Sequence, residues 1–415
     1  MTTVRTYVFV HLAEGPVPAG LLTMTEEPRN QFATFAYGRR YLARPDRVPV
    51  DPVALPLHDA ETDRTFQTEE GFAVFSGIRD AAPDGWGQYL MYKAMGDRTP
   101  NDIDMILASG DYRVGALAFG STPERPQRIT PWGGDAPGEH FTLEELAEAA
   151  ERAQHVDQLD ENLRRLLTAG SSLGGARPKA ATEIDGQPWI AKFQARNDSF
   201  PECRVELATM RLAATCGLNV PALDFKRVLE RDIYLIERFD RVSHSNWLER
   251  RPFASGLTML GAHESEVSRY SYADLAAALR QHGTEVRRDL SELFRRMVFN
   301  ILVTNDDDHL RNHGFLFDGK GWRLSPLYDV VPKPQVGLER RLVLGVGPQG
   351  RDATTANALA GAAGFDLGPD QAKAIIEDMR ERVAAGWEAQ FAQSGVSAAD
   401  RGRFATCFRL ASDDL

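Results

Sequence analysis

Asn305-Asp306-Asp307-Asp308-His309-Leu310-Arg311-Asn312 stands directly after a run whose apolar residues are spaced for one helix face. Leu290, Leu293, Phe294, Met297, Val298, Ile301 and Leu302 fall at i, i+3, i+4, i+7, i+8, i+11 and i+12. That period predicts an amphipathic helix with its apolar stripe on a core. The polar octet therefore begins where a core helix ends and a loop starts. Three consecutive aspartates alone would read as a solvated helix end. These are followed by Asn312, five residues after Asp307, and by short strand-like runs, Phe315 to Phe317 and Trp322 to Leu324, around Asp318-Gly319-Lys320-Gly321. Ser325-Pro326-Leu327-Tyr328-Asp329 comes next.

Helix, Asp-x-x-x-x-Asn, hairpin and second Asp is the order in which a kinase catalytic loop sets out its base, its metal-binding Asn and its second metal carboxylate. Phosphoryl transfer needs a carboxylate to accept or orient the hydroxyl proton. It also needs hard oxygen ligands to hold Mg²⁺ against the phosphates. Asp307, Asn312 and Asp329 supply these residue types. Asp307 and His309 could instead ligate zinc in a hydrolase, but a third closely spaced His is wanting, and His313 stands four residues on in a loop.

Upstream, Ala180 to Ile184 and Trp189 to Phe193 are two short strands around Asp185-Gly186, a tight-hairpin signal. Lys192 lies in the second of them. A strand Lys is usually an exposed or edge residue. Here an acid-bearing helix follows, Glu202 to Cys216, closed by Gly217, with Glu206 inside it. A strand Lys on ATP phosphates, paired to a helix Glu, is the kinase arrangement. Before the hairpin stands Gly170-Ser171-Ser172-Leu173-Gly174-Gly175-Ala176-Arg177-Pro178-Lys179. It is no Walker A loop, because Ala176 stands where Lys is required. Its small residues would let backbone N–H groups approach an anion. After it, Glu237-Arg238-Phe239-Asp240-Arg241 ends the β-rich region, where a two-lobed kinase has its adenine-binding hinge.

The rest of the chain sets bounds. Its 415 residues suggest two or three domains, and 43% hydrophobic with 26% charged residues is an ordinary globular mix. Three cysteines without paired spacing argue against a disulfide scaffold or Cys-based zinc site. A net charge of -11 is poor for binding nucleic acid unaided. The start reads as a β-strand, not a signal peptide, and no run reaches membrane-spanning length, so a cytoplasmic protein is expected. Val4 to Val10, Phe32 to Tyr37 and Val114 to Phe119 are strand-like, with Gly15, Pro16, Pro18 and Gly20 read as a turn region. Helical spacing begins near Pro83-Asp84-Gly85-Trp86-Gly87. Ser121 to His140 reads as a linker, and Thr142-Leu143-Glu144-Glu145 as a capping box opening a helix towards Gln158. Further helices are expected at about 369 to 388 and 398 to 411. The expected fold class is α+β, with a β-rich module over 1–140, a small β-rich lobe over 141–241 and a helical lobe over 242–415.

Taken together, these motifs resemble the HipA family, the serine/threonine-kinase toxins of bacterial HipBA toxin–antitoxin pairs. The resemblance is carried by Ala82-Pro83-Asp84-Gly85-Trp86-Gly87, Val114-Gly115-Ala116-Leu117, Ser172 to Lys179, Glu237 to Arg241, Asn305-x-Asp307-x-His309-x-x-Asn312 and Tyr328-Asp329. It implies a two-lobed protein-kinase-like fold using ATP and Mg²⁺. Asp307 would be the catalytic base and Lys192 the phosphate Lys. Asn312 and Asp329 would be metal ligands, and His309 a contact near the phosphates. Ser172, Gly174, Gly175 and Ala176 would lie on the phosphate loop, with Ser172 autophosphorylated. Glu237 and Phe239 would lie at the hinge, and Asp240 would meet the ribose. The implied partners are a helix-turn-helix antitoxin of HipB type, through which DNA is met indirectly, and a translation component such as an aminoacyl-tRNA synthetase as protein target. Arg311 replaces a frequent Lys of the family. A small-molecule kinase of related fold and a catalytically silent corepressor are the competing readings.

Overall fold

The computed structural model describes residues 2–28, 30–96, 100–108, 112–126, 141–161, 163–164, 175–244, 247–334 and 339–412. The chain forms two compact units, one from residues 1–196 and 227–254, the other from 197–226 and 255–415.

The first unit opens with a five-stranded sheet. Its strands are β1 (Thr2–Leu12), β2 (Gly15–Glu27), β3 (Asn30–Tyr37), β4 (Phe66–Gln67) and β5 (Leu117–Gly120), in the order β4-β3-β2-β1-β5. The expected turn region at 15–20 is instead the first half of β2. It pairs with β1 from Leu12↔Gly15 onward, and both prolines are inside it. Proline fits because β3 pairs with β2 only from Gly20 on. The half holding Pro16 and Pro18 has an open side where a missing N–H breaks no ladder. Gly20 marks where β3 arrives: a Cβ there would lie 2.4 Å from both Ala36 O and Phe35 Cζ. β5 starts later than expected, because Gly115 takes φ 77 and turns the chain first.

Two helices follow, α1 (Trp86–Met95) and α2 (Leu143–His155). Thr142 and Glu145 make the expected capping box. Helix α2 stops at His155, three residues short of the expected end. Most of the expected 121–140 linker lies outside the described residues. The second sheet carries β6 (Lys179–Ile184), β7 (Gln187–Phe193) and, after the chain re-enters the unit in β8 (Leu223–Val228), β9 (Arg231–Glu237). Asp185 at φ 53 and Gly186 at φ 74 turn β6 into β7, as a two-residue hairpin requires. The Ala147, Ala150 and Ala153 face of α2 packs with Trp86 and Leu90 of α1 on Ala180, Ala191, Ile233 and Leu235 of this sheet.

The second unit is mostly helical: α3 (Glu202–Thr215), α4 (Tyr272–His282), α5 (Val286–Val303) and α6 (Pro369–Gln393). Gly217 closes α3 at φ 78, as expected. All seven apolar residues of the predicted face of α5 are fully buried. The hairpin β10 (Gly314–Phe317) and β11 (Trp322–Leu324) pairs Phe315 with Leu324. Among the described residues, no helix is long and apolar enough to cross a membrane.

Candidate active site

The polar octet sits at a strained helix end. Thr304 caps α5 in the left-handed conformation at φ 56, unfavourable for a β-branched residue. Asn305 N–H reaches back to Asn300 O at 2.9 Å, closing the last turn. The strain is held from outside. Thr304 Oγ1 donates to Cys407 O at 2.7 Å and accepts from Arg340 Nη1 at 2.8 Å. Strained backbone persists only where its surroundings over-determine it.

The next residues alternate in burial, so the three aspartates have three environments. Asp306 is half-buried and pairs with Lys333 Nζ at 3.1 Å. Asp307 is exposed, with 54% of its side chain open. Asp308 is buried and accepts Val343 N–H on Oδ1 at 2.6 Å. Burial pushes the Asp308 carboxyl up to about 6. Burial, with Asp308 nearby, also raises the Tyr272 hydroxyl well above its ordinary value. Asn300 Nδ2 donates to that hydroxyl at 2.9 Å, and Asn305 Nδ2 to Asn300 Oδ1 at 3.0 Å. The loop is thus rooted in a buried polar cluster.

Asn312 ties the loop off, its Nδ2 donating to the Asp307 carbonyl at 2.6 Å. His309 Nε2 lies 3.8 Å from Asp307 Oδ1. His313 points inward, its Nε2 3.3 Å from Asp308 O and its ring edge-on to Tyr272. Burial lowers the His313 imidazole to about 3, so it is neutral. Lys333 Nζ reaches Asp307 Oδ2 at 3.8 Å, and the Lys333 backbone N–H donates to Thr304 O at 3.0 Å. Burial would lower its ammonium, but Asp307 and Asp306 outweigh that and raise it.

Asp329 arrives on the segment after the hairpin. Arg323 grips Asp289 of α5 through two bonds of 2.7 and 2.8 Å, and Arg296 Nη2 donates to Ser325 O at 2.6 Å. These bonds fix the hairpin and its exit to α5. Tyr328 then donates its hydroxyl to Arg311 O at 2.7 Å. Asp329 follows at φ 61, half-buried, on a segment bonded to the residue before Asn312. Asp307, Asn312 and Asp329 therefore belong to one connected set of loops, with Glu206 buried on α3 of the same unit.

The first unit carries the other candidates. Lys192 is no edge residue: β7 is flanked by β6 and β9, and Lys192 is 6% exposed. It pairs with Lys179 on one side and Tyr234 on the other, its Nζ 5.8 Å from the tyrosine ring centre. Sequence reasoning gave Lys179 no place on this sheet. The hairpin could have found it, because a two-residue turn pairs residues equidistant from it. Ser172 and Gly174 lie outside the described residues. Gly175, at φ 90, and Ala176 lead into β6. Phe193 N–H donates to Pro178 O at 2.9 Å, fixing that approach beside Lys192.

Glu237 ends β9 half-buried, and Phe239 stacks on Phe253 at 6.5 Å. Asp240, expected at the ribose, is buried and holds four donors. Arg238 Nε and Nη2 donate at 2.9 and 2.8 Å, Arg241 Nη1 at 2.8 Å and Gly115 N–H at 2.8 Å. Burial alone would raise this carboxyl; Arg238 and Arg241 overcome it and hold it far below the usual range. Both arginines also donate to Arg113 O, at 3.0 and 2.7 Å. In this geometry Asp240 braces the 238–241 segment against the 112–115 turn. Neither Arg113 nor Lys333 carried a motif that would have marked it.

Residues 171–387 match the family described as HipA-like C-terminal domain, just over half of the chain. A protein of Sinorhizobium fredii (strain NBRC 101917 / NGR234), designated "Putative kinase Y4mE", is 25% identical over 346 residues, covering 75% of this chain and 76% of its own. A Haemophilus influenzae protein with the same kinase designation is 25% identical over 190 residues, 40% of this chain and 55% of its own. The fold is similar to that of a chain in the Shewanella oneidensis MR-1 complex of HipA, HipB and operator DNA. There the TM-score is 0.70 at 17% identity, over 98% of this chain and 95% of that one.

Proposed function

This chain belongs to the HipA-like C-terminal domain family, and from that premise we propose that it is an ATP- and Mg²⁺-dependent serine/threonine protein kinase, the toxin of a HipBA-like pair. The observation that supports this best is the Asn312 bond to the Asp307 carbonyl, which presents an exposed carboxylate on a fixed loop. Asp307 is assigned as the base that takes or orients the substrate hydroxyl proton. Asn312 uses Nδ2 on Asp307, which leaves Oδ1 for a cation, and Asp329 adds a carboxylate. Hard oxygen donors of this kind fit Mg²⁺. When bound, Mg²⁺ would neutralise charge on the phosphates.

Lys192 is assigned to the nucleotide phosphates, with Gly175 and Ala176 on the loop leading to it. His309 is placed near the transferred group, and Glu237 and Phe239 at the adenine. We place Asp240 behind the hinge, since its oxygens already hold four donors. Autophosphorylation at Ser172 would oppose the ATP phosphates with about -1.5 to -2 charges and switch the enzyme off. The proposed partner is a HipB-type helix-turn-helix antitoxin, supported by the HipA–HipB–DNA composition of the similar structure. A cytoplasmic translation component, such as an aminoacyl-tRNA synthetase, is the proposed target. The division 1–140, 141–241 and 242–415 follows the same assignment.

Transfer of labelled γ-phosphate from MgATP in cell lysate tests the reading. Label on a protein serine or threonine is expected. Label only on small molecules would replace this reading with a small-molecule kinase.

A further inference from the structure

We propose that Gly85 and the amide of Trp86 form a brace that sets the backbone entering β6, and so are positioning residues for the nucleotide phosphates. This rests on the nucleotide-binding reading of Lys192 above. The Asp84-Gly85-Trp86 turn meets Gly175 and Ala176 backbone to backbone. A Cβ at Gly85 would lie 2.6 Å from both the carbonyl carbon and oxygen of Gly175, and 2.7 Å from Ala176 Cα. Backbone atoms cannot rotate aside as a side chain can. Gly85 also sits at φ 42, ψ -100, where a side chain is strained.

Trp86 N–H donates to Gly175 O at 2.8 Å. Trp86 is the first residue of α1, so its N–H has no partner inside the helix. The bond gives that donor an acceptor and fixes the Gly175 carbonyl. The turn itself is well held. Asp84 Oδ1 accepts Gly85 N–H at 2.8 Å, and the buried Trp86 ring stacks on Tyr89 at 5.3 Å. Arg79 Nη1 donates to Pro83 O at 3.0 Å, and Arg113 Nη1 to Ala81 O at 3.4 Å. Arg113 O is also the acceptor for Arg238 and Arg241. The 81–86 stretch therefore touches the entry to β6 directly and is linked to the Asp240 cluster through Arg113. From Gly175 the chain runs four residues to Lys179, directly opposite Lys192. A displacement at Gly175 would move the backbone that positions this pair.

The test is calorimetry of MgATP and of adenosine on the full chain with Gly85→Ala. We expect MgATP binding to weaken about tenfold or more, and adenosine binding to change by less than about twofold. Unchanged MgATP affinity, or equal losses for both ligands, overturns the proposal. If the variant does not fold, amide hydrogen exchange of the unsubstituted chain decides. MgATP should slow exchange at Trp86 and adenosine should not; equal protection, or none, overturns it. An unsubstituted chain that binds no MgATP removes the nucleotide reading itself, and the brace with it.

Discussion

Asn312 donates its side-chain amide to the main-chain carbonyl of Asp307 across 2.6 Å. The five-residue offset between the two is thus a physical link: it closes the loop on itself and leaves the Asp307 carboxylate pointing out. Asn312→Ala should lower phosphoryl transfer on the order of a hundredfold, since small misplacements of a reacting group have effects of that size. Stability should fall only by about 1 kcal/mol, the net value of one such bond. Kinetics beside a urea titration measure both. A large stability loss with intact kinetics would make the bond structural only.

Asp308 predicts a pH dependence of folding. Its folded pKa, about 6, is above the roughly 3.9 of an unfolded Asp. Its contribution is therefore fully present below about pH 4 and is lost as pH rises through about 6. The size is on the order of 2–3 kcal/mol. Asp308→Asn should flatten this part of the stability–pH curve relative to the unsubstituted chain. Parallel curves from pH 4 to 7 would show that Asp308 does not titrate there.

Much of this region is legible in the sequence. The period over Leu290 to Leu302 gives the helix, and Asp185-Gly186 gives the hairpin, though its first strand begins at Lys179, one residue before the run that reads as a strand. What does not show is direction. Asp306, Asp307 and Asp308 are identical letters, and only packing against Lys333, solvent and Val343 separates them. His313 has the same spacing as a metal ligand but turns inward. Strand β2 was hidden because its prolines lie where no second strand pairs, a fact about the neighbour, not about β2. Asp240 reads as a hinge acid until Arg238, Arg241 and the distant Gly115 N–H converge on it.

Asp240 makes its own prediction. Asp240→Ala leaves two buried guanidinium groups without their carboxylate. Breaking a buried pair this way costs about 3–5 kcal/mol. Chemical denaturation should show a loss of that order, and a loss below about 1 kcal/mol would mean that water or other acceptors replace the carboxylate.

Lys192→Ala should weaken MgATP binding by about 1.5–3 kcal/mol, the value of a charge-assisted contact. Calorimetry that finds equal affinity in both proteins removes Lys192 from the nucleotide site and leaves it a sheet residue.

As the base of a phosphoryl transfer, Asp307 should be needed for the chemical step and not for nucleotide binding. Incubating the chain and its Asp307→Asn variant with labelled MgATP and lysate, with nucleotide affinity measured in parallel, separates the two. The variant should bind MgATP within about threefold of the unsubstituted chain while transfer falls by about 10² to 10⁴. Near-equal transfer by the two proteins would remove Asp307 from the chemistry.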